Sequence, residues 1–518
     1  MNTSALFDTA LAGLQSAQAG MLVTSQNVAG ASVDGYVRRS PSIRNVSMAQ
    51  SPADPTGSLF AVEGFTRHFD ALLQRQIWNQ TAKTAYTETL TQAVSSLDAE
   101  LINPATSIAG ALGSFFNAAG ALANEPNNTA YQAALVGGAE QLADRIRGLS
   151  GTLDALTKFA NQGFIDALHQ ANALAPTLAD INAKIRGSGI LGVSYPAADL
   201  LDERDRLINE LQKLVGGQAV VNTDGTASFE INGQFLVDRE IANQFTTGSG
   251  SNTLNASLGP NGVYLRVPSL PGQAPKLIPM FQISEYGITK SLFDAGRAGG
   301  FAHLSTQFAP QLQQALNLLS AKLMQDVNAI TTNGGSQAQA IFGFVDTSSA
   351  TGYLTDHTQT ELVTLFANGL SISEVLERID PNSTQFESAR LAAYRSVQDQ
   401  MHSALLQVVP GLGSDRFNQL QTTDAIASLE ALRTQFSRAT SDFTSSTAQT
   451  ISTWKQAHAS NQVTGAALAD QKQSISGVNL DEEAANLVKY QQLYNASSKV
   501  MQTSKQMFDT LLAMLSGA

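Results

Sequence analysis

The chain of 518 residues contains no cysteine, and that absence removes several chemistries together. Disulfide staples, cysteine-ligated zinc, iron-sulfur clusters and thiol nucleophiles are all excluded. A chain without thiols also suits passage through a membrane in the unfolded state, where cross-linking would be fatal. Basic charge is sparse too: 31 Lys and Arg stand against 43 Asp and Glu, a formal net charge of -12 with a pI near 5.0. No run of Lys or Arg interrupts this balance, so neither a nucleic-acid groove nor an anionic membrane surface is an expected partner. No run of about eighteen apolar residues occurs, so no membrane insertion is expected. The first residues carry Asp8 and no positive segment, which does not read as a cleaved secretory signal. Residence in the cytoplasm and export by a machine that needs no cleaved signal both fit this pattern.

What is present is heptad spacing at both ends. Toward the C-terminus, Leu480, Leu487, Tyr494, Met501, Phe508 and Leu515 recur at every seventh position. Near the N-terminus, Phe7, Leu14, Met21 and Val28 do the same, with Ala10, Leu11 and Ala17 beside them. Such spacing keeps one helix face toward a partner helix, whereas a helix on a globular core drifts at its natural period. An assembly seam and a pair of core helices both satisfy this spacing. Asn479 before Asp481, Glu482 and Glu483 reads as an N-cap followed by acids that favour the helix dipole.

Between the termini the pattern is mostly helical. The first helix ends near Gly30, and an extended, loop-like stretch follows to about Thr66. Helical periods then run through Ala99, from Ile108 to Leu122, to about Ile146, and from Thr152 to Ile185. Gly187, Gly189 and Gly192 have dinucleotide-binding spacing, but a helix precedes them and Tyr195 and Pro196 follow, so a linker is expected. After DLLDERDRLINEL, Asp224-Gly225 and Asn232-Gly233 separate short β-prone runs, a hairpin signal, and Pro260 to Gly262 precede VYLRV. Helical period returns from Leu304 to Ile330, several helices are expected from Leu354 to Val409, and two more over Thr423 to Phe436 and Thr440 to His458.

The predicted fold is therefore multidomain and mainly α. It comprises a terminal N/C helical coiled coil (1–60 with 470–518), a central helical-bundle domain (61–195 with 300–332 and 421–469), an inserted small antiparallel β domain (196–299), and a helical insertion (333–420). No catalytic, cofactor or metal residues are expected. The histidines His68, His169, His303, His357, His402 and His458 are scattered, and Asp199, Asp202, Glu203 and Asp205 are interleaved with Arg204 and Arg206 in a spacing that makes salt bridges.

Five stretches carry a resemblance to a known family. SISGVNLDEEAANLVKYQQLY and the helix after it resemble the C-terminal signature of bacterial flagellar axial proteins. SQNVAGASVDGYVRRS resembles the loop after the first helix in rod, hook and hook-associated proteins, with Asn27, Ala29, Gly35, Tyr36 and Arg38 matching and Gly30 and Val33 departing from the usual Asn and Thr. GFTRHFDALLQRQI, with Arg67, Phe69 and Asp70, and SFFNAAGALANEPNNTAYQAAL, with Phe116 and Pro126, are similar to internal stretches of the hook-associated branch, although Tyr131 stands where an Arg is common. DLLDERDRLINEL leading into NTDGTASFEINGQFLVD is similar to the lead-in to that branch's β domain.

The resemblance implies a structural junction protein of the flagellum, not an enzyme. It would be exported unfolded by the flagellar type III apparatus and assembled outside the cell as a homo-oligomeric ring at the hook tip. Implied partners are the hook protein, hook-associated protein 3 and a cytoplasmic export chaperone on the helix from Leu480 to Leu515. Alternatives within the implied class are a hook or rod protein, and outside it a secreted effector or enzyme using flagellar export.

Overall fold

A computed structural model describes residues 3–33, 35–47, 58–103, 107–125, 127–190, 198–247, 254, 259–269, 273–283, 289–332, 341–344, 406–408 and 423–516. In chain order it shows α1 (Thr3–Gly30), β1 (Arg39–Ser47), β2 (Ser58–Arg67), α2 (Ala71–Ala93), α3 (Ser95–Ile102), α4 (Ile108–Asn124), α5 (Thr129–Ile190) and α6 (Ala198–Val215). The β region follows as β3 (Gln218–Val221), β4 (Ala227–Ile231), β5 (Gln234–Asp238), β6 (Ile241–Ala242), β7 (Gln244–Thr247), β8 (Val263–Val267), β9 (Lys276–Pro279), β10 (Phe281–Ile283) and β11 (Thr289–Ser291). Then come α7 (Gly296–His303), a π-helical turn at Leu304–Phe308, α8 (Ala309–Thr332), β12 (Phe342–Phe344), β13 (Leu406–Val408), α9 (Thr423–Ser476) and α10 (Leu480–Ser516). The fold is mainly α with small antiparallel sheets, as the periodicities predict.

Contacts divide the chain into two compact units: Met1–Lys83 with Gln170–Gln244 and Asn461–Ala518, and Thr84–His169 with Phe245–Ser460. In the first unit β3 to β6 form a meander in sequence order. Gly225 has φ +84° and Asn232 and Gly233 have φ +46° and +77°, so the Asp-Gly and Asn-Gly pairs turn where the sequence places them. Asn182, fully buried, donates its amide to the carbonyls of Ala227 and Arg239 and accepts from the Ala227 N–H, pinning the meander to the end of α5.

Several stretches differ from the sequence reading. Residues 39–47 and 58–67 pair as two antiparallel strands with a bulge between Ser42 and Ile43, where an extended, loop-like stretch was expected. The stretch carries no alternating apolar pattern, because buried arginines rather than apolar side chains anchor its base. Helices expected as pairs are continuous: α5 runs for 62 residues through Gly148, Gly151 and Pro176, and α9 for 54 residues. Gly138 in α5 stands where a Cβ would meet the Phe115 backbone at 3.1 Å, so a glycine there serves close packing and not a helix break. Residues 406–408, expected as helix, pair with Phe342–Phe344 as a strand. Gly187 and Gly189, expected in a linker, lie instead in the last turns of α5. The rest of the expected 333–420 insertion lies outside the described residues apart from 341–344, and so do Gly192, Tyr195 and Pro196 of the expected linker.

The second unit is organised around aromatic contacts. Phe115 is buried against Phe116 and Phe342, with ring centroids 5.1 and 5.6 Å away. His303, at the junction of α7 and the π turn, sits edge-on between Tyr86 at 6.3 Å and Trp454 at 5.6 Å. Burial pushes the Tyr86 phenol up to about 12, with Asp294 adding to the effect, and holds the His303 imidazole below its ordinary value. The folded state therefore binds a proton at His303 less readily than the unfolded chain. The stability His303 contributes is present above pH about 6.5 and is lost as pH falls below that value toward the lowered folded pKa. The melting temperature of this unit is expected to drop on acidification through that window, and His303→Gln should flatten the dependence. Calorimetry across pH checks this, and identical pH profiles for the two chains would contradict it.

Candidate assembly interface

The first unit joins the two chain ends. Gly13 faces Ser497 and Gly20 faces Tyr490, so advancing seven residues along α1 means retreating seven along α10, and the helices are antiparallel. Their contact is made by small groups. A Cβ at Gly13 would stand 2.4 Å from the Ser497 hydroxyl, and one at Gly20 would stand 2.3 Å from the Tyr490 ring. Ala10, Ser16, Ala17, Val23, Thr24 and Asn27 of α1 are buried, as are Glu483, Ser497 and Ser504 of α10. Burial, with the Glu483 charge behind it, pushes the Tyr490 phenol up.

The apolar heptads flank this seam. Leu14, Met21, Leu487 and Met501 are half-buried. Phe7, Val28, Leu480, Tyr494 and Phe508 are 43, 46, 55, 36 and 52% exposed, and Leu515 lies in the last turn of α10. Gly13, Gly20, Tyr490, Ser497 and Ser504 are the contact residues that the apolar pattern misses. The available signal was glycine and serine at the same seven-residue spacing, which marks close helix approach and not apolar mass.

Beyond the seam lies the loop that resembles the axial family. Asn27, 1% exposed, is its hub. Its amide nitrogen donates to the Arg39 carbonyl at 2.9 Å, and its oxygen accepts from the Arg39 N–H at 3.1 Å and the Tyr36 hydroxyl at 2.9 Å. Gly35 has φ +82°, a left-handed conformation that folds Tyr36 back over α1. The Tyr36 ring covers Gly30, where a Cβ would stand 2.5 Å away, so an Asn at that position could not keep this packing. The Arg39 guanidinium lies 4.8 Å from the Tyr36 ring centre. Burial pushes the Tyr36 phenol up.

Arg38 reaches across to α10. Its Nε donates to Glu483 at 2.9 Å and its Nη1 pairs with Glu482 at 2.9 Å. Its N–H donates to the Ser476 carbonyl, its carbonyl accepts from the His68 N–H, and the Ser476 hydroxyl donates to the His68 carbonyl, at 2.9, 2.9 and 2.6 Å. Asn479 caps α10 by accepting from the Asp481 N–H at 3.0 Å. Glu482 and Glu483 therefore do more than open a helix.

The acids of α6 form a second link. Arg39 pairs with Asp199 at 2.6 Å and Asp202 at 2.7 Å, and Arg67 pairs with Asp202 at 2.6 Å and Asp205 at 2.9 Å. Arg204 pairs with Asp205 at 2.6 Å and donates to the carbonyl of Gly225 in the β3–β4 turn. Glu203 and Arg206 pair along the helix as their spacing predicts, whereas Asp199, Asp202 and Asp205 reach the hairpin base. A cleft of about 360 Å³ opens in front of the loop, lined by Tyr36, Gln74, Ile77, Lys472 and Gln473 among others. Among the described residues the one carboxylate on its walls is Asp205, already shared by Arg67 and Arg204, so these residues assemble no free acid/base pair there. No described helix is long and apolar enough to cross a membrane.

Comparison with known proteins gives a consistent set of matches. Residues 94–342 match the family described as "Flagellar hook-associated protein FlgK helical domain", and residues 470–514 match "Flagellar basal body rod FlgEFG protein C-terminal". The flagellar hook-associated protein 1 of Salmonella typhimurium is 24% identical over 572 residues, covering 98% of this chain and 99% of the relative. That of Escherichia coli is 24% identical over 564 residues, again covering 98% and 99%. Among solved structures, the flagellar hook junction protein FlgK from Burkholderia pseudomallei is 22% identical with a TM-score of 0.41, covering 52% of this chain and 46% of that one.

Proposed function

Because the chain belongs to the flagellar hook-associated protein 1 family, we propose that it is a structural junction protein of the bacterial flagellum. It assembles as a ring at the hook tip and adapts the hook to the filament through the next hook-associated protein. The observation that carries this reading is the apolar surface left on both terminal helices after they pair. Phe7, Leu11, Leu22 and Val28 on α1 and Leu480, Val488, Leu493, Val500, Met507 and Phe508 on α10 remain exposed. Apolar surface in stripes along two rods is costly in water and serves association. Neighbouring copies and the hook protein are the surfaces that cover it, with the terminal pair innermost in the ring. Before assembly the same stripe on α10 is where an export chaperone would bind, keeping the chain competent for the type III route.

Deleting residues 480–518 tests the function. A strain carrying only that form is expected to make hooks that bear no filament, while the second unit keeps its native melting transition. Normal filaments in that strain would overturn the reading.

A further inference from the structure

The contacts that hold α10 to α1 repeat, and packing alone does not choose among the repeats. Moving α10 by one heptad toward the start of α1, about 10.5 Å, would place Tyr490 over Gly13, Glu483 over Gly20 and Ser497 over Leu6. Gly13 offers the Tyr490 ring the same open space that Gly20 does, so the slipped pair keeps its closest fit. The opposite move is blocked, because it sets Tyr490 on Asn27, whose amide is buried and committed to Arg39 and Tyr36.

The observed register and the slipped one differ at a buried charge. Glu483 is 1% exposed and its carboxylate is met by Arg38 at 2.9 Å. Arg38 cannot follow a moving helix, since its own N–H and carbonyl are held by Ser476 and His68. In the slipped pair Glu483 would lie against the α1 backbone with no arginine beside it, and a buried carboxylate without a partner is strongly disfavoured. We propose that Arg38 sets the register of the terminal helix pair by reading Glu483, with Glu482 as the outer arm of the same clamp. A single buried polar partner fixing the register of a helix pair is the best attested use of such groups. In this chain it places the exposed stripes of α1 and α10 opposite each other in one fixed arrangement.

The absence of cysteine makes the register directly readable. Gly13→Cys with Ser497→Cys reports the observed register, because a Cβ at Gly13 lies 3.2 Å from the Ser497 Cβ, near the ~3.8 Å of a disulfide. Leu6→Cys with Ser497→Cys reports the slipped one. In the otherwise native full-length chain the first pair is expected to oxidise and the second to stay reduced. In the Leu6→Cys, Ser497→Cys chain, which keeps Gly13 open, adding Arg38→Ala should raise the cross-link by at least about tenfold. Arg38→Glu combined with Glu482→Arg and Glu483→Arg should return that chain to the reduced state. If the Arg38→Ala chain does not accumulate, Glu483→Gln removes the charge while keeping the shape and is read in the same way. A Leu6→Cys, Ser497→Cys chain that lacks the clamp and still stays reduced overturns the proposal.

Discussion

Asp202→Ala is expected to destabilise the first unit by about 3 to 5 kcal/mol, the usual cost of breaking a buried ion pair from one side. Asp202 is the shared member of the link, one oxygen on Arg39 and the other on Arg67. The two guanidinium groups are 4 and 8% exposed, and the Nε of each is already buried without a partner. Removing Asp202 leaves two desolvated cations with one carboxylate contact each, at Asp199 and Asp205. Asp202→Asn keeps the shape and should retain most of the loss, which separates charge from packing. Because a chain of two units need not unfold in one step, hydrogen exchange at the amides of α6 and the base of the β1–β2 hairpin is the suitable measure. A loss under about 1 kcal/mol would mean that water reaches these arginines and that the link carries little.

This cluster shows where sequence reasoning stops. Asp199, Asp202 and Asp205 lie on one helix and were legible as charged, and Glu203 with Arg206 was legible as a pair. That the first three serve Arg39 and Arg67 was not, since the partners are 135 or more residues away. Local chemistry read well: Asn479 caps α10, Asn232-Gly233 makes a two-residue turn, and the absence of helical period ends α1 near Gly30. The loop residues Asn27, Gly35, Tyr36 and Arg38 stood out only through resemblance. Their physical roles, an amide that ties Arg39 and Tyr36 together, a left-handed turn and a clamp on Glu483, needed coordinates.

The terminal seam was half legible. Spacing identified both helices and their mutual pairing, but it weighted large apolar residues, and the close contact is made by Gly13 and Gly20 against Ser497 and Tyr490. Antiparallel helices that approach through glycine leave their large side chains at the margin, where Phe7 and Phe508 are found. The same cause explains the merged helices. Glycines at 148 and 151 fall where the expected helices divide, yet α5 passes through them, and at Gly138, inside the same helix, the neighbouring Phe115 backbone rewards the missing side chain.

The large residues at the margin of the seam should matter little to the single chain and much to its assembly. Phe7 and Phe508 are 43 and 52% exposed in the isolated chain, so Phe7→Ser with Phe508→Ser should change its stability by no more than about 0.5 kcal/mol, the range of ordinary surface substitutions. In the proposed ring these side chains would be covered by neighbours, and truncating anchors in the core of an interface costs ~2 kcal/mol or more each. Summed around a closed ring, that loss is expected to abolish assembly while leaving the monomer intact. The direct measurement is electron microscopy of a strain carrying only the doubly substituted protein, paired with the melting curve of the purified chain. An unchanged melting curve and hooks without filaments are expected, and filaments of normal number on those hooks would show that these side chains are not needed for the junction.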